Sequence, residues 1–169
     1  MAGMEALGRL FNVIPAASAK PIKMRGASGV ALLAWNATAS VTTTLTLTQD
    51  STFGGSFSNG AFAIKNVYWT SALDGTAAWN KATYNPGTAP WTGTSANNVS
   101  GPANAITFNN TAQNFATAAC ILVHVFTSEL SDPYDYIKAT MTGSGGLCVA
   151  ILNDLVVQRG PANLEILGA

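Results

Sequence analysis

The stretch "VTTTLTLT", residues 41–48, limits what this chain can fold into more than any other. Val41, Thr43, Leu45 and Leu47 share one parity, and Thr42, Thr44, Thr46 and Thr48 share the other. That strict period of two belongs to a strand with one side on a core and the other in water. A helix would spread the same residues around its circumference. "GVALLAWNATA" before it is also β material. After it, Gly54-Gly55 and Asn59-Gly60 mark turns, and in "AFAIKNVYWT" the pattern sets Phe62, Ile64 and Tyr68 inward on a further strand.

The same reading extends down the chain. Glycines and prolines crowd residues 70–105, so the pattern predicts a short hairpin around Trp79 to Tyr84 and then a long ordered loop pinned by aromatics. "TAACILVHVFT" is a near-continuous apolar run, which predicts a strand buried on both sides. "SDPYDY" reads as a turn. "DYIKATMT", the glycines from Gly143 to Gly146 and "LCVAILNDLVVQ" read as a closing β-hairpin with a wide loop. Seven or eight strands with no strand-helix-strand rhythm predict an all-β protein, an antiparallel β-sandwich of jelly-roll or immunoglobulin-like type. A small barrel is the alternative.

Both ends depart from this pattern. Residues 1–28 carry Pro15 and Pro21, each of which disfavours helix at the residue before it, and read as an extended arm after a helical turn or two over residues 4–11. Arg159-Gly160-Pro161 then breaks the last apolar run, so residues 161–169, with Leu164, Ile166 and Leu167, read as a C-terminal arm. The expected organisation is an arm over 1–28, a β-domain over 29–160 and an arm over 161–169.

Charge is sparse, 9% of residues, with a formal net of zero. Phosphate-neutralising nucleic-acid binding needs clustered Lys and Arg, so no direct nucleic-acid contact is expected. The few charges are unevenly placed. Arg9, Lys20, Lys23 and Arg25 outweigh Glu5 at the start, whereas Glu129, Asp132, Asp135, Asp154 and Glu165 outweigh Lys138 and Arg159 at the end. That split suits contact between copies or with an ordered partner. The opening "MAGMEALGRLFNVIPAA" lacks the pattern of a signal peptide and no run approaches about 18 apolar residues, so synthesis in a cytoplasm and no membrane span are expected.

Candidate chemistry is thin. His124 is the single histidine. On one strand, Cys120 lies roughly 13 Å from it, too far for a nucleophile-base pair. Cys148, on a neighbouring strand, is the one thiol able to reach it, against the simpler reading of a packed histidine with a local hydrogen bond. Two cysteines and one histidine fall short of a structural zinc site. Both thiols lie in apolar runs, and synthesis without a signal peptide favours the free form over a disulfide. "ELSDPYD" lacks the ligands and glycine of a calcium loop, and "GSGG" is no phosphate loop. No catalytic residue, metal or cofactor is expected.

"DPYDYIKATMTGSGGLCVAILNDLVVQRGPANL" resembles the closing segment of small β-rich virion proteins of tailed double-stranded DNA bacteriophages, which end in a Tyr-x-Lys strand, a Gly-rich turn and an apolar strand leading to "QR-x-PANL". "KMRGASGVALLAWNATASVTTTLT" and "AAWNKATY" resemble that group's early strands and hairpin. Asn153-Asp154 and Gly160 stand where the group often has His-Asp and Lys. The resemblance implies a non-enzymatic structural protein, a decoration or cement protein on the outside of the phage head. Its implied partners are the major capsid protein and copies of itself, as in a trimer. Arg9, Leu10, Phe11, Lys20, Lys23, Arg25, Arg159, Leu164, Ile166 and Leu167 are the expected assembly contacts. A tail or neck subunit is an alternative within virions. A carbohydrate-binding module, stacking sugars on Trp69, Trp79, Tyr84 or Trp91, is the alternative from another class.

Overall fold

The computed structural model describes residues 11–16, 20–36, 42–57, 62–70, 77–84, 91–93, 104–109, 120–143 and 145–153. Among them are eleven strands and one 3-10 turn, Thr127–Glu129, and no α-helix. The strands are β1 (Phe11–Pro15), β2 (Pro21–Lys23), β3 (Gly29–Asn36), β4 (Thr42–Asp50), β5 (Asn66–Thr70), β6 (Asn80–Tyr84), β7 (Trp91–Gly93), β8 (Ala105–Asn109), β9 (Cys120–Phe126), β10 (Tyr136–Thr142) and β11 (Gly146–Asn153). The protein is all-β. β1, β2 and β7, at three to five residues, are too short to show the alternation by which the longer strands announce themselves.

Every described pairing is antiparallel. Seven strands form one sheet in the order β1-β11-β3-β9-β5-β6-β7, and four form another in the order β2-β10-β4-β8. Only the β5-β6 and β6-β7 connections stay within a sheet; each of the others carries the chain from one sheet to the other. The buried faces of both sheets join a single apolar cluster. Ile22, Leu45, Leu47, Ile106, Ile137 and Ala139 enter it from the four-stranded sheet, and Val30, Leu32, Val67, Ile121, Val123 and Ala150 from the seven-stranded one. β4 behaves as its alternation demands, with Thr43, Leu45, Leu47 and Gln49 buried and Thr44, Thr46 and Thr48 half-buried on the opposite side.

Three expectations are corrected. β10 and β11 are not a hairpin: β10 pairs with β2 and β4, and β11 pairs with β1 and β3. The Gly-rich link is a crossover between sheets, with Gly143 at φ 107° and Gly145 at φ 80° supplying the left-handed backbone that L side chains resist. β5 is out of phase with its predicted face. Phe62 and Ile64 are buried, but the ladder begins only at Asn66, so Val67 and Trp69 point inward and Tyr68 lies half-buried on the other side. Residues 62–65 are not strand, and a one-residue change of phase there exchanges the faces that follow. Finally, much of the segment expected as an N-terminal arm is built into the sheets. β1 lies along β11, β2 lies along β10, and Ile22 and Met24 are fully buried.

Polar side chains pin the crossovers. Buried Gln49 accepts from Ser131 N through Oε1 (3.0 Å) and donates through Nε2 to Ser131 Oγ (3.2 Å), fastening the turn between β9 and β10 to the end of β4. Thr127 Oγ1 donates to Ala27 O at 2.7 Å. Asp50, closing β4, accepts from Thr52 N (3.1 Å), Thr52 Oγ1 (3.3 Å) and Phe57 N (3.1 Å), and the loop folds over that carboxylate with Gly55 against it. The backbone donors, Thr52 first, hold the Asp50 carboxyl below its ordinary value.

Candidate functional site

The residues that promised chemistry are separated by the pleat. Cys148 is opposite Ala34 of β3, and Ala34 is opposite Ile121 of β9; Cys120 is opposite Trp35. The two thiols therefore flank β3 on strands about 9.6 Å apart, at two inter-strand spacings, beyond the roughly 7 Å that a disulfide spans. Both are free and buried. Burial pushes the Cys120 thiol up to about 11, and burial followed by the neighbouring Cys120 pushes Cys148 up to about 12. Neither is poised as a nucleophile, because the reactive species is the thiolate.

His124 is opposite Ala31, on the outer face of the seven-stranded sheet, whereas Cys148 points into the core. The Cys148-His124 pair considered from sequence is thus not assembled. Instead, Asn153 Nδ2 and His124 Nε2 lie within hydrogen-bonding distance at 2.9 Å, and the Phe126 and imidazole rings meet edge-on with centroids 4.3 Å apart. No group of three or more His, Cys, Asp or Glu gathers among the described residues. No helix among them is long and apolar enough to cross a membrane.

What the geometry does assemble is a contrast between two outer faces. On the four-stranded sheet, Lys138 lies opposite Thr48, Thr140 opposite Thr46, and Thr142 opposite Thr44. Thr44 and Thr107 hydroxyls bond across the next pair at 3.0 Å, and Lys138 Nζ sits 4.7 Å from the centroid of the Phe57 ring. That face is mainly threonine, with Lys138 and, at one end, Tyr136 opposite Asp50. On the seven-stranded sheet the outward positions form apolar rows: Leu147-Trp35-Cys120, Val149-Leu33-Leu122-Tyr68, and Ile151-Ala31-His124. Most of these residues are half-buried, and Leu147 (43%) and Phe126 (52%) are exposed. Among the described residues, polar groups lie at its margins, among them the Asn153-His124 pair, the Thr83 hydroxyl donating to Asn66 Oδ1 (3.0 Å), Lys81 over Tyr68 (5.7 Å) and Thr70 beside Cys120.

This face was missed in the sequence, although a signal for it was present. "GVALLAW", "CILVHVF" and "LCVAIL" are apolar at both parities. For residues 120–126 that predicted burial on both sides; instead one side is core and the other is the half-buried outer face.

Of the expected assembly contacts, Lys20, Lys23 and Arg25 cluster around β2 at the edge of the four-stranded sheet, with Lys20 and Arg25 exposed and Lys23 opposite Tyr136. Phe11 opens β1 opposite Asn153. Arg9, Leu10, Arg159, Leu164, Ile166 and Leu167 lie outside the described residues. Among the aromatics proposed for sugar stacking, Trp69 is buried in the core and Trp79 is 51% exposed. Tyr84 and Trp91 are cross-strand partners in the β6-β7 pair. Comparison of the chain with protein-family models, with curated proteins and with solved structures finds no match.

Proposed function

We propose that this chain is a non-enzymatic structural virion protein, a decoration or cement protein that binds the outside of a phage head and stabilises it. The observation that carries the reading is the strand order. β1, β11, β3 and β9 stand side by side in one sheet, and β2, β10, β4 and β8 in the other. That order supports reading the domain as an eight-stranded jelly-roll sandwich, an architecture common among capsid and lectin domains. β5 to β7 are an insertion between the fourth and fifth strands of the roll, added to the first sheet beyond β9. Fold alone does not determine function; the virion assignment draws on the resemblance of residues 23–46, 77–84 and 132–164 to small phage virion proteins.

Two further features support a binding role over catalysis. Gln49, Asp50 and Thr127 are each engaged in holding a loop, and the half-buried apolar face offers contact area without a reactive group. In this reading the partners are the major capsid protein and further copies of the chain. The basic group Lys20, Lys23 and Arg25 and the terminal segment with Leu164, Ile166 and Leu167 supply the contacts with them.

Binding of the purified full chain to undecorated phage shells, followed by imaging, tests the proposal. Regularly spaced copies on the shell exterior are the expected result. Attachment at the tail or neck alone would move the protein to that site, and glycan binding without shell binding would replace the reading with the carbohydrate one. Substituting Lys20, Lys23 and Arg25 with Gln should weaken shell binding more at low salt than at 1 M, where screening shortens to about 3 Å.

A further inference from the structure

We propose that the apolar outer face of the seven-stranded sheet is a self-association surface, on which a second copy of this chain packs sheet against sheet about a twofold axis. This deepens the part of the preceding reading in which copies of the chain associate, and it does not depend on the shell.

Three observations select a second copy as the occupant. First, the outward positions of β11, β3 and β9 carry no Asp, Glu, Lys or Arg. A partner has no charge to answer and must itself be uncharged and apolar, since a charged group pressed onto this face would be desolvated without a partner. Among the described residues, the surface that meets this condition is the same face on another copy; the opposite sheet presents threonines and Lys138. Second, the face is regular. Leu147 and Trp35, and Ile151 and Ala31, pair directly across β11 and β3, and the row of Val149, Leu33 and Leu122 runs on to β9. Twofold symmetry lets one patch serve both partners, and two such faces interleave at the usual sheet separation of about 10 Å.

Third, its size matches a reversible dimer. With strands about 4.8 Å apart and outward residues about 6.7 Å apart, three rows on three strands cover about 290 Å² in plan. The corrugated accessible surface is larger, so two copies bury roughly 600–1,000 Å², the low end at which interfaces are weak and transient. A patch of that size holds a partner only when the partner is abundant, a condition that copies of one chain meet together. The Asn153-His124 pair and Lys81 fall at the margins, where interfaces keep their polar rim.

Sedimentation of the full chain across concentrations tests this without any shell. A concentration-dependent shift toward twice the 17.4 kDa of one chain is expected. Leu122→Lys should weaken the dimer at least tenfold, and Thr46→Lys on the opposite face should leave it unchanged. Should Leu122→Lys fail to fold, Val149→Thr retains a β-branched shape and should weaken association several-fold. A folded chain that stays monomeric at every concentration overturns the proposal, as does a dimer indifferent to both Leu122→Lys and Val149→Thr. A chain that is monomeric until Leu164, Ile166 and Leu167 are all changed to Ser, and then dimerises, would show that its own terminal segment covers the face, which also overturns it.

Discussion

Gly146→Ala tests the crossover topology, because the two readings of the β10-β11 link predict opposite signs. In a hairpin, an alanine at the start of β11 would stabilise by about 0.4–1 kcal/mol, through lower entropy of the unfolded chain. In the observed fold Gly146 opens β11 directly against the other sheet. An added Cβ would lie 2.7 Å from Thr43 Cγ2 and 3.0 Å from Met141 Cε. The methionine terminus can swing away. Thr43 cannot do so cheaply, being β-branched and fully buried. Overpacking of this kind costs about 1–3 kcal/mol, so the net destabilisation is about 1–2 kcal/mol. For a chain of 169 residues that lowers Tm by about 2–8 °C.

The cause is separable with a second substitution. Thr43→Ser removes the obstructing methyl and keeps the hydroxyl, at a cost of about 1 kcal/mol on its own. The double variant should be no less stable than Thr43→Ser alone, giving a coupling of about 1–2 kcal/mol in a urea-denaturation cycle. A stabilised Gly146→Ala, or a double variant whose losses simply add, would refute the packing assigned to this crossover.

Other consequences follow from single groups. Thr48 Oγ1 is buried without a hydrogen-bond partner among the described residues, so Thr48→Val should stabilise by about 1 kcal/mol in urea titrations; a destabilised variant contradicts this. Both cysteine thiols are raised above the ordinary 9.0. Their contribution is therefore fully present below pH 9 and lost as pH rises through about 11 to 12. Native protein should resist thiol reagents at pH 8 and yield two reactive groups once unfolded without reductant. Asp50 is held below its ordinary 3.8, so its contribution is present above that value and lost as pH falls through the depressed one. Asp50→Asn should flatten the acid limb of a stability-pH profile as pH falls below 3.8, and an unchanged limb would remove Asp50 as its source.

What the sequence determined by itself is local. "VTTTLTLT" settled which residues of β4 face the core, because the pleat alternates every residue whatever lies beside the strand. The all-β class, the turn after β9 and the inert surroundings of the cysteines were legible for the same reason. Where the local pattern changed phase without a marker, as at residues 62–65, the reading of Tyr68 failed.

Tertiary structure decided which strands are neighbours. An apolar strand, a Gly-rich link and a second apolar strand describe a hairpin and a sheet-to-sheet crossover equally well. The choice between them rests on β2 and β4 competing for the edges of β10, and β1 and β3 for those of β11. Those partners lie far away in the chain. The apolar outer face was hidden for the same reason: no segment carries it alone, and it exists only because pairing sets Leu147, Trp35, Leu33 and Leu122 in rows. Alternation is a property of one strand and can be read in one segment, whereas a surface built across three strands is a property of their register.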